Sequence, residues 1–383
     1  MINYQKLYRS KRCALFLAFL LAVNISYAQV KEIDKTVKQL DQKEAQIAEL
    51  GNIMDRDSIP GLQIAYSKNG KKEFFEAGWL KQGQKEYVNV HTAFQAASLT
   101  KVVMAYTFFR LYDRGLISLD KPLWEYYKYE RITNNPQAQK ITARMVLTHQ
   151  SGLLNWEGDV PSQAWRQSAL TSQFEPGTDY MYSGEGFYFL QETLEHITGK
   201  SFQELVEQEV IKPFKLKDSE ILWKDRLAKN AAFGHYSNAK ARNLGMYRKS
   251  NAAYTLYTTA SDYCSFLEKA ILQGKGLKAS THKLFLSKAG EAKKSGQISP
   301  DDKYVPTVLG LRMQINEVGT AYWHTGSNPG FRCFFIVYPK TQEILCAFSN
   351  SDNGFRAIPD ILALFLNNNQ TFWMYKWRQG ELD

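Results

Sequence analysis

A hydroxyl and an amine stand three residues apart in Ser98-Leu99-Thr100-Lys101. On a helix, positions i and i+3 share a face, so the two side chains can meet. A serine hydroxyl is a weak nucleophile until a base removes its proton, and a neutral lysine can be that base. Neutrality requires desolvation. Val102, Val103, Met104 and Ala105 follow Lys101, so the amine begins inside an apolar helix that disfavours its charge. The helix N-terminus also offers backbone N–H groups and a positive dipole end to a developing oxyanion. The same spacing occurs at Ser118/Lys121, Ser237/Lys240 and Ser280/Lys283, in charged or turn-like surroundings that read as surface. Only Ser98 follows a strand pair and opens a buried helix.

The elements that must position this pair are legible in outline. Ile33, Val37, Leu40, Ile47 and Leu50 recur at helical spacing, which predicts an amphipathic helix over residues 31–50. Leu62, Ile64 and Tyr66 alternate, and Asn69-Gly70 is a hairpin turn into Lys72–Trp79. A helix runs from Ser98 to Arg114 and is closed by Gly115. Helical patterns broken by loops fill residues 116–300, without an internal repeat. Alternation returns at Leu309, Leu311, Met313 and Ile315. Phe331–Tyr338 is apolar on both faces apart from Arg332, as in a central strand, and Ile344–Phe348 follows. Pro359–Leu366 reads as a helix with proline at its first position. The expected fold is α+β: an antiparallel sheet built from both chain ends and flanked by helices, with a mostly helical lobe inserted. Its lobes are 29–104 with 300–383, and 105–299, with the cleft between sheet and lobe.

Composition narrows the class. The chain has 383 residues, 44% of them hydrophobic, which suits one large packed domain or two lobes. The start is basic (Lys6, Arg9, Lys11, Arg12), an apolar run spans Cys13 to Val23, and Ser26 and Ala28 are small residues placed for cleavage. That pattern is a secretory signal peptide over residues 1–28, too short for a span, so the mature protein is expected to be secreted or periplasmic. Cleavage removes four positive charges and no negative ones from +10, leaving +6. Lys212 to Lys249 holds ten Lys or Arg against Asp218, Glu220 and Asp225. That stretch reads as a solvated face or as an attractor of anionic cell-envelope material. No nucleic-acid motif accompanies it. Three cysteines follow the signal, so at least one is unpaired. Cys333 and Cys346 flank the Pro339-Lys340-Thr341 turn and could approach each other, although buried apolar thiols are the commoner role. The six histidines show no metal-binding spacing, and there is no Walker loop, dinucleotide fingerprint or Gly-x-Ser-x-Gly elbow. No metal and no cofactor is expected.

Five segments, in order, resemble the serine β-lactamase and penicillin-binding-protein superfamily, and within it the class C branch with its D-alanyl-D-alanine peptidase and esterase relatives. They are Phe94–Lys101, Leu147–Leu153 (Leu-Thr-His-Gln-Ser-Gly-Leu), Pro176-Gly177 running into Tyr180-Met181-Tyr182-Ser183, Thr198–Ser201, and His324–Phe331. The resemblance covers about 57–352 and implies a catalytic domain there. It assigns Ser98 as nucleophile, Lys101 and Tyr182 as proton-transfer groups, and the backbone N–H groups of Ser98 and Ser327 as the oxyanion hole. It makes His324-Thr325-Gly326 the substrate-binding strand, with histidine where many members carry lysine. The family's Tyr-x-Asn element is here Tyr182-Ser183-Gly184. Glycine cannot supply the amide that meets the lysine and the substrate's acylamino group, which shifts the expectation from β-lactams toward peptides or esters. Glu185 reads either as a compensating carboxylate near Lys101 or as an ordinary surface residue. His149 reads as structural.

The expected function is an exported serine hydrolase that forms an acyl-enzyme on an amide or ester carbonyl of a small molecule or peptide, including cell-wall-derived ones. The alternative is a catalytically silent sensing or binding domain of the same fold, which retention of Ser98, Lys101 and Tyr182 disfavours.

Overall fold

The computed structural model of the chain describes residues 27–290, 300–366 and 369–382. Residues 1–26, most of the expected signal peptide, lie outside them. The chain divides into two compact units at Leu50 and Gly51. The first is helical from Tyr27, within helix α1 (Tyr27–Asp57), as the spacing over 31–50 predicts. The second, Gly51–Asp383, contains every candidate site residue.

Strands β1 (Gly61–Lys68) and β2 (Lys71–Gly78) form the expected hairpin. Asn69 and Gly70 take φ values of 51° and 77°, the left-handed pair that a two-residue hairpin turn requires. A short pair, β3 (Phe94–Gln95) with β4 (Tyr257–Thr258), stands apart as a second sheet. The C-terminal part supplies β5 (Thr307–Val308), β6 (Leu311–Asn316), β7 (Gly319–Asn328), β8 (Phe331–Tyr338) and β9 (Glu343–Ser349). The main sheet has seven strands in the order β2-β1-β9-β8-β7-β6-β5, antiparallel throughout. Ala65 of β1 pairs with Cys346 of β9, so the two ends of the chain are zipped into one sheet. The doubly apolar run β8 is its central strand, where both faces are covered.

Helix α2 (Thr100–Asp113) begins two residues later than expected, behind a 3₁₀ turn at Ala97–Leu99. Residues Thr100–Phe109 and Leu111 are all buried, so the helix runs through the core. Burying Val102, Val103, Met104, Phe108, Phe109 and Leu111 contributes on the order of 10 kcal/mol. That is enough to carry one desolvated amine within the same helix. Gly115, at φ 74°, closes it. Alternation over 309–315 is interrupted in the structure: Gly310 sits at φ 83° between β5 and β6. A Cβ there would lie 2.3 Å from the Ala105 Cβ, so the break lets the sheet approach α2. Helix α3 (Gly184–Thr198) fills part of the inserted region, and α4 (Ile358–Phe365) has proline in its first turn.

Cys333 pairs with Phe348 and Cys346 with Phe335 across β8 and β9. The two cysteines are therefore two positions out of register, and Cys264, Cys333 and Cys346 are buried thiols in no disulfide.

Candidate active site

The turn that carries Ser98 is held by buried hydrogen bonds. Ala96 N–H donates to Leu256 O at 2.8 Å, Thr100 Oγ1 to Ala97 O at 2.6 Å, and the Tyr263 hydroxyl to Leu99 O at 3.0 Å. Ala97 takes φ 49°, a left-handed conformation that costs a non-glycine residue roughly 1–2 kcal/mol. Strain of this kind gathers where surrounding structure over-determines a functional turn. It bends the chain just before Ser98, whose side chain is half-buried while Ala97 and Leu99 are fully covered.

One helical turn on, Lys101 is 1% exposed. Its Nζ lies 3.4 Å from Ser98 Oγ and donates to Ala253 O at 3.0 Å. The longer contact is a weak hydrogen bond, yet it is within the reach that tightens when substrate is bound. Burial pushes the lysine pKa down from 10.5 to about 7. The accepting carbonyl is itself placed: Ala253 N–H donates to Asn251 Oδ1 at 2.9 Å, and Ala252 N–H to Gln191 Oε1 at 2.7 Å.

Lys101 Nζ lies over two rings, 4.7 Å from the Tyr182 centroid and 5.5 Å from that of Phe187. Tyr182 in turn rests on His149, with ring centroids 4.3 Å apart at 30°. His149 Nδ1 accepts from Ser183 N–H at 3.1 Å and His149 O from Met181 N–H at 2.8 Å, so it brackets Tyr182 on both sides. Desolvation, followed by the nearby charges of Arg312, Lys101 and His324, holds the His149 pKa well below its ordinary value. A neutral, bracketing imidazole is a scaffold for the tyrosine, in line with the structural reading.

Strand β7 brings His324-Thr325-Gly326-Ser327 alongside. His324 is buried, Thr325 half-buried and Ser327 exposed. The His324 and Tyr182 rings are 6.3 Å apart. A Cβ at Gly326 would lie 2.4 Å from Ala96 O and 2.5 Å from Cys333 Sγ, so only glycine lets β7 pass flush against the Ser98 turn. The Cys333 thiol donates to Ala96 O at 3.0 Å and ties β8 to the same turn. Ser98, Lys101, Tyr182 and the His324–Ser327 segment are thus brought to one place.

Position 184 is closed to a side chain. A Cβ at Gly184 would fall 2.4 Å from Trp156 Cζ2 and 2.8 Å from Asn155 O. Gly184 N–H donates to Asn155 Oδ1 at 3.0 Å, and Ser183 Oγ caps α3 by accepting from Gly186 N–H at 2.9 Å. Glu185 corrects both expectations, because it is neither beside Lys101 nor on the surface. It is fully buried and accepts from Arg131 Nη1 at 2.7 Å, Trp165 Nε1 at 2.6 Å and Glu157 N–H at 3.0 Å. Among the described residues, no group of three or more His, Cys, Asp or Glu could hold a metal ion.

The chain matches the Beta-lactamase family over residues 33–367. It belongs to that family. Among curated proteins, the Protein flp of Staphylococcus aureus (strain MW2) is 21% identical over 79% of this chain and 62% of its own length. The Lovastatin esterase of Penicillium rubens is 26% identical over 37% of this chain and 42% of its own. The chain therefore spans about half the length of these relatives. Among solved structures, the Beta-Lactamase/D-Alanine Carboxypeptidase of Pseudomonas syringae superposes with a TM-score of 0.72 at 18% identity, over 84% of this chain and 98% of that one. At such identity the likeness shows the fold. At Gly184, where the resemblance expects the asparagine of a Tyr-x-Asn element, a Cβ would lie 2.4 Å from Trp156 Cζ2.

Several site residues escaped sequence reading. Ala253 acts through a backbone carbonyl, which no side-chain motif announces. Trp156 sits in a loop and Arg131 in a 3₁₀ turn, neither with a local sequence pattern. Glycine at position 184 was the available sign of a bulky neighbour, and it did not say which one.

Proposed function

We propose that the protein is an exported serine hydrolase acting on an amide or ester carbonyl through an acyl-enzyme. Neutral Lys101 takes the proton of Ser98 Oγ as that oxygen bonds to the carbonyl carbon. The negative oxygen is received by the backbone N–H groups of Ser98 and Ser327, donors of a kind whose loss typically costs about 10²–10³ in rate. Lys101 and Tyr182 pass the proton to the leaving nitrogen or oxygen, which departs. Water then adds to the acyl carbon, gives a proton back along the same route, and Ser98 is restored. Thr325 and His324 meet a carbonyl or carboxylate of the substrate along β7.

The observation that carries this reading is Lys101: fully buried, 3.4 Å from Ser98 Oγ, and brought by burial to a pKa of about 7. A base is most effective when its pKa lies near the working pH. Among the substrates, D-amino-acid peptides and small esters are favoured over β-lactams, because the family asparagine is absent and Trp156 stands in its place. The Lovastatin esterase among the similar proteins supports a place for esters among the substrates. The basic, then apolar, opening over residues 1–28 supports export with cleavage after Ala28. Among the described residues, no helix is long and apolar enough to cross a membrane. The two-lobe division, 29–104 with 300–383 against 105–299, belongs to the same proposal.

The test is labelling with a fluorescent penicillin and a fluorophosphonate, with Ser98→Ala alongside. Fluorophosphonate adduct in wild type only, with weak or absent penicillin adduct, is expected. Silence with both probes would favour the binding-domain alternative.

A further inference from the structure

The segments 161–166 and 246–254 line an open surface cavity of about 470 Å³. Half-buried Tyr247 and Tyr254 form its wall, and Arg166, Met246, Arg248 and Lys249 form its rim. Its wall is continuous with the site. Tyr254 follows Ala253, whose carbonyl holds Lys101 Nζ. Asn328, next after Ser327, donates through Nδ2 to the Tyr247 hydroxyl at 3.0 Å and to Tyr254 O at 3.3 Å. On the other side Trp156, which covers Gly184, meets the Tyr254 ring edge-on at 5.5 Å.

What marks this cavity is not the lack of ion pairs, which Lys215, Lys217, Lys229 and Lys240 share among the described residues, but three such cations gathered around aromatic walls. In the basic stretch 212–249, Lys224 and Arg226 are paired with Glu220 at 2.7 and 2.8 Å, and Arg242 with Asp352 at 2.6 Å. Arg248 and Lys249 at its end, and Arg166 across the cavity, have no carboxylate within ion-pair distance among the described residues. No acidic residue lines the cavity. Three uncompensated cations around one aromatic concavity repel each other, and an anion placed among them relieves that repulsion.

We propose that this cavity is a substrate subsite for a carboxylate, so that the preferred substrates carry an apolar arm ending in an anionic group. The arm lies against Tyr247 and Tyr254, and the carboxylate is received by Arg166, Arg248 and Lys249. The proposal rests on the reading of Ser98 as the acylated residue. Exposed ion pairs are individually weak, so the three together are expected to give about a tenfold preference.

The test compares aryl esters of octanoic acid and of its ω-carboxylated counterpart, suberic acid. In wild type, kcat/KM is expected to be about tenfold higher for the suberoyl ester, chiefly through KM, with the ratio shrinking as salt is added. In R166Q/R248Q/K249Q the ratio is expected to fall to about one. A wild-type ratio at or below one, or a ratio that the triple variant leaves unchanged, overturns the subsite. Should the triple variant not fold, the salt dependence of the wild-type ratio decides: a salt-independent preference overturns the subsite. The reading of Ser98 fails separately, if neither ester shows Ser98-dependent turnover. In that event calorimetric titration with suberic acid monoamide and octanamide decides the subsite: tighter binding of the anion supports it, and equal binding overturns it.

Discussion

The indole of Trp156 occupies the volume that any side chain at position 184 would need: a Cβ there would lie 2.4 Å from Trp156 Cζ2. The glycine and the tryptophan are therefore one feature, and restoring the family's asparagine requires changing both. Gly184→Asn alone is expected to destabilise the protein by about 1–3 kcal/mol through overpacking, without gaining penicillin acylation. Gly184→Asn with Trp156→Ala relieves the indole clash but leaves the 2.8 Å approach to Asn155 O, so it is expected to raise the rate of penicillin adduct formation while staying less stable than wild type. Chemical denaturation and adduct kinetics on the three proteins check this. A Gly184→Asn single variant as stable as wild type would contradict it.

Lys101 is an activity device that the fold tolerates at a cost. Its folded-state pKa of about 7 lies below the unfolded value of 10.5. Between those values the unfolded chain holds a proton that the folded chain lacks, so wild-type stability rises with pH from about 7 toward 10.5. Lys101→Met keeps the shape and removes that gradient. Its melting temperature is expected to exceed the wild type's by on the order of a few degrees below pH 7, with the gap closing as pH approaches 10.5, while acylation is lost. Thermal melts across that range check the sign; a gap independent of pH would contradict it.

Glu185, three residues beyond Tyr182 and in the first turn of α3, ties that helix to the short helix Gln163–Gln167 through Trp165 and to Arg131 through a buried pair. Glu185→Gln leaves the guanidinium buried without its charge partner, an injury that typically costs about 3–5 kcal/mol. Denaturant unfolding should read that loss. Because the carboxylate faces Arg131, the pH midpoint of Ser98 acylation is expected to stay where it is. A midpoint moved in Glu185→Gln would mean that the carboxylate tunes Lys101.

What the sequence made legible was what period and local chemistry encode. The Asn69-Gly70 hairpin, the doubly apolar central strand β8, the proline-started α4 and the Ser98–Lys101 spacing each carry a local signal, and each appears in the structure. The remainder depends on tertiary approach. Gly310 reads as one step of an alternating strand until Ala105 comes up against it. Cys333 and Cys346 suggest a bridge until the register separates them by two positions. Glu185, an isolated acid at the start of an apolar helix, finds its partner 54 residues away. The acceptor that holds Lys101 is a carbonyl 152 residues distant, and every residue has a carbonyl.

The most direct measurement is the pH dependence of the second-order rate of fluorophosphonate labelling, in wild type and Ser98→Ala. A buried lysine acting as base predicts labelling confined to wild type, rising with pH through a midpoint near 7 and then level. Adduct formation in Ser98→Ala, or a rate still climbing through the ordinary lysine value of 10.5, would contradict a serine activated by an uncharged neighbour.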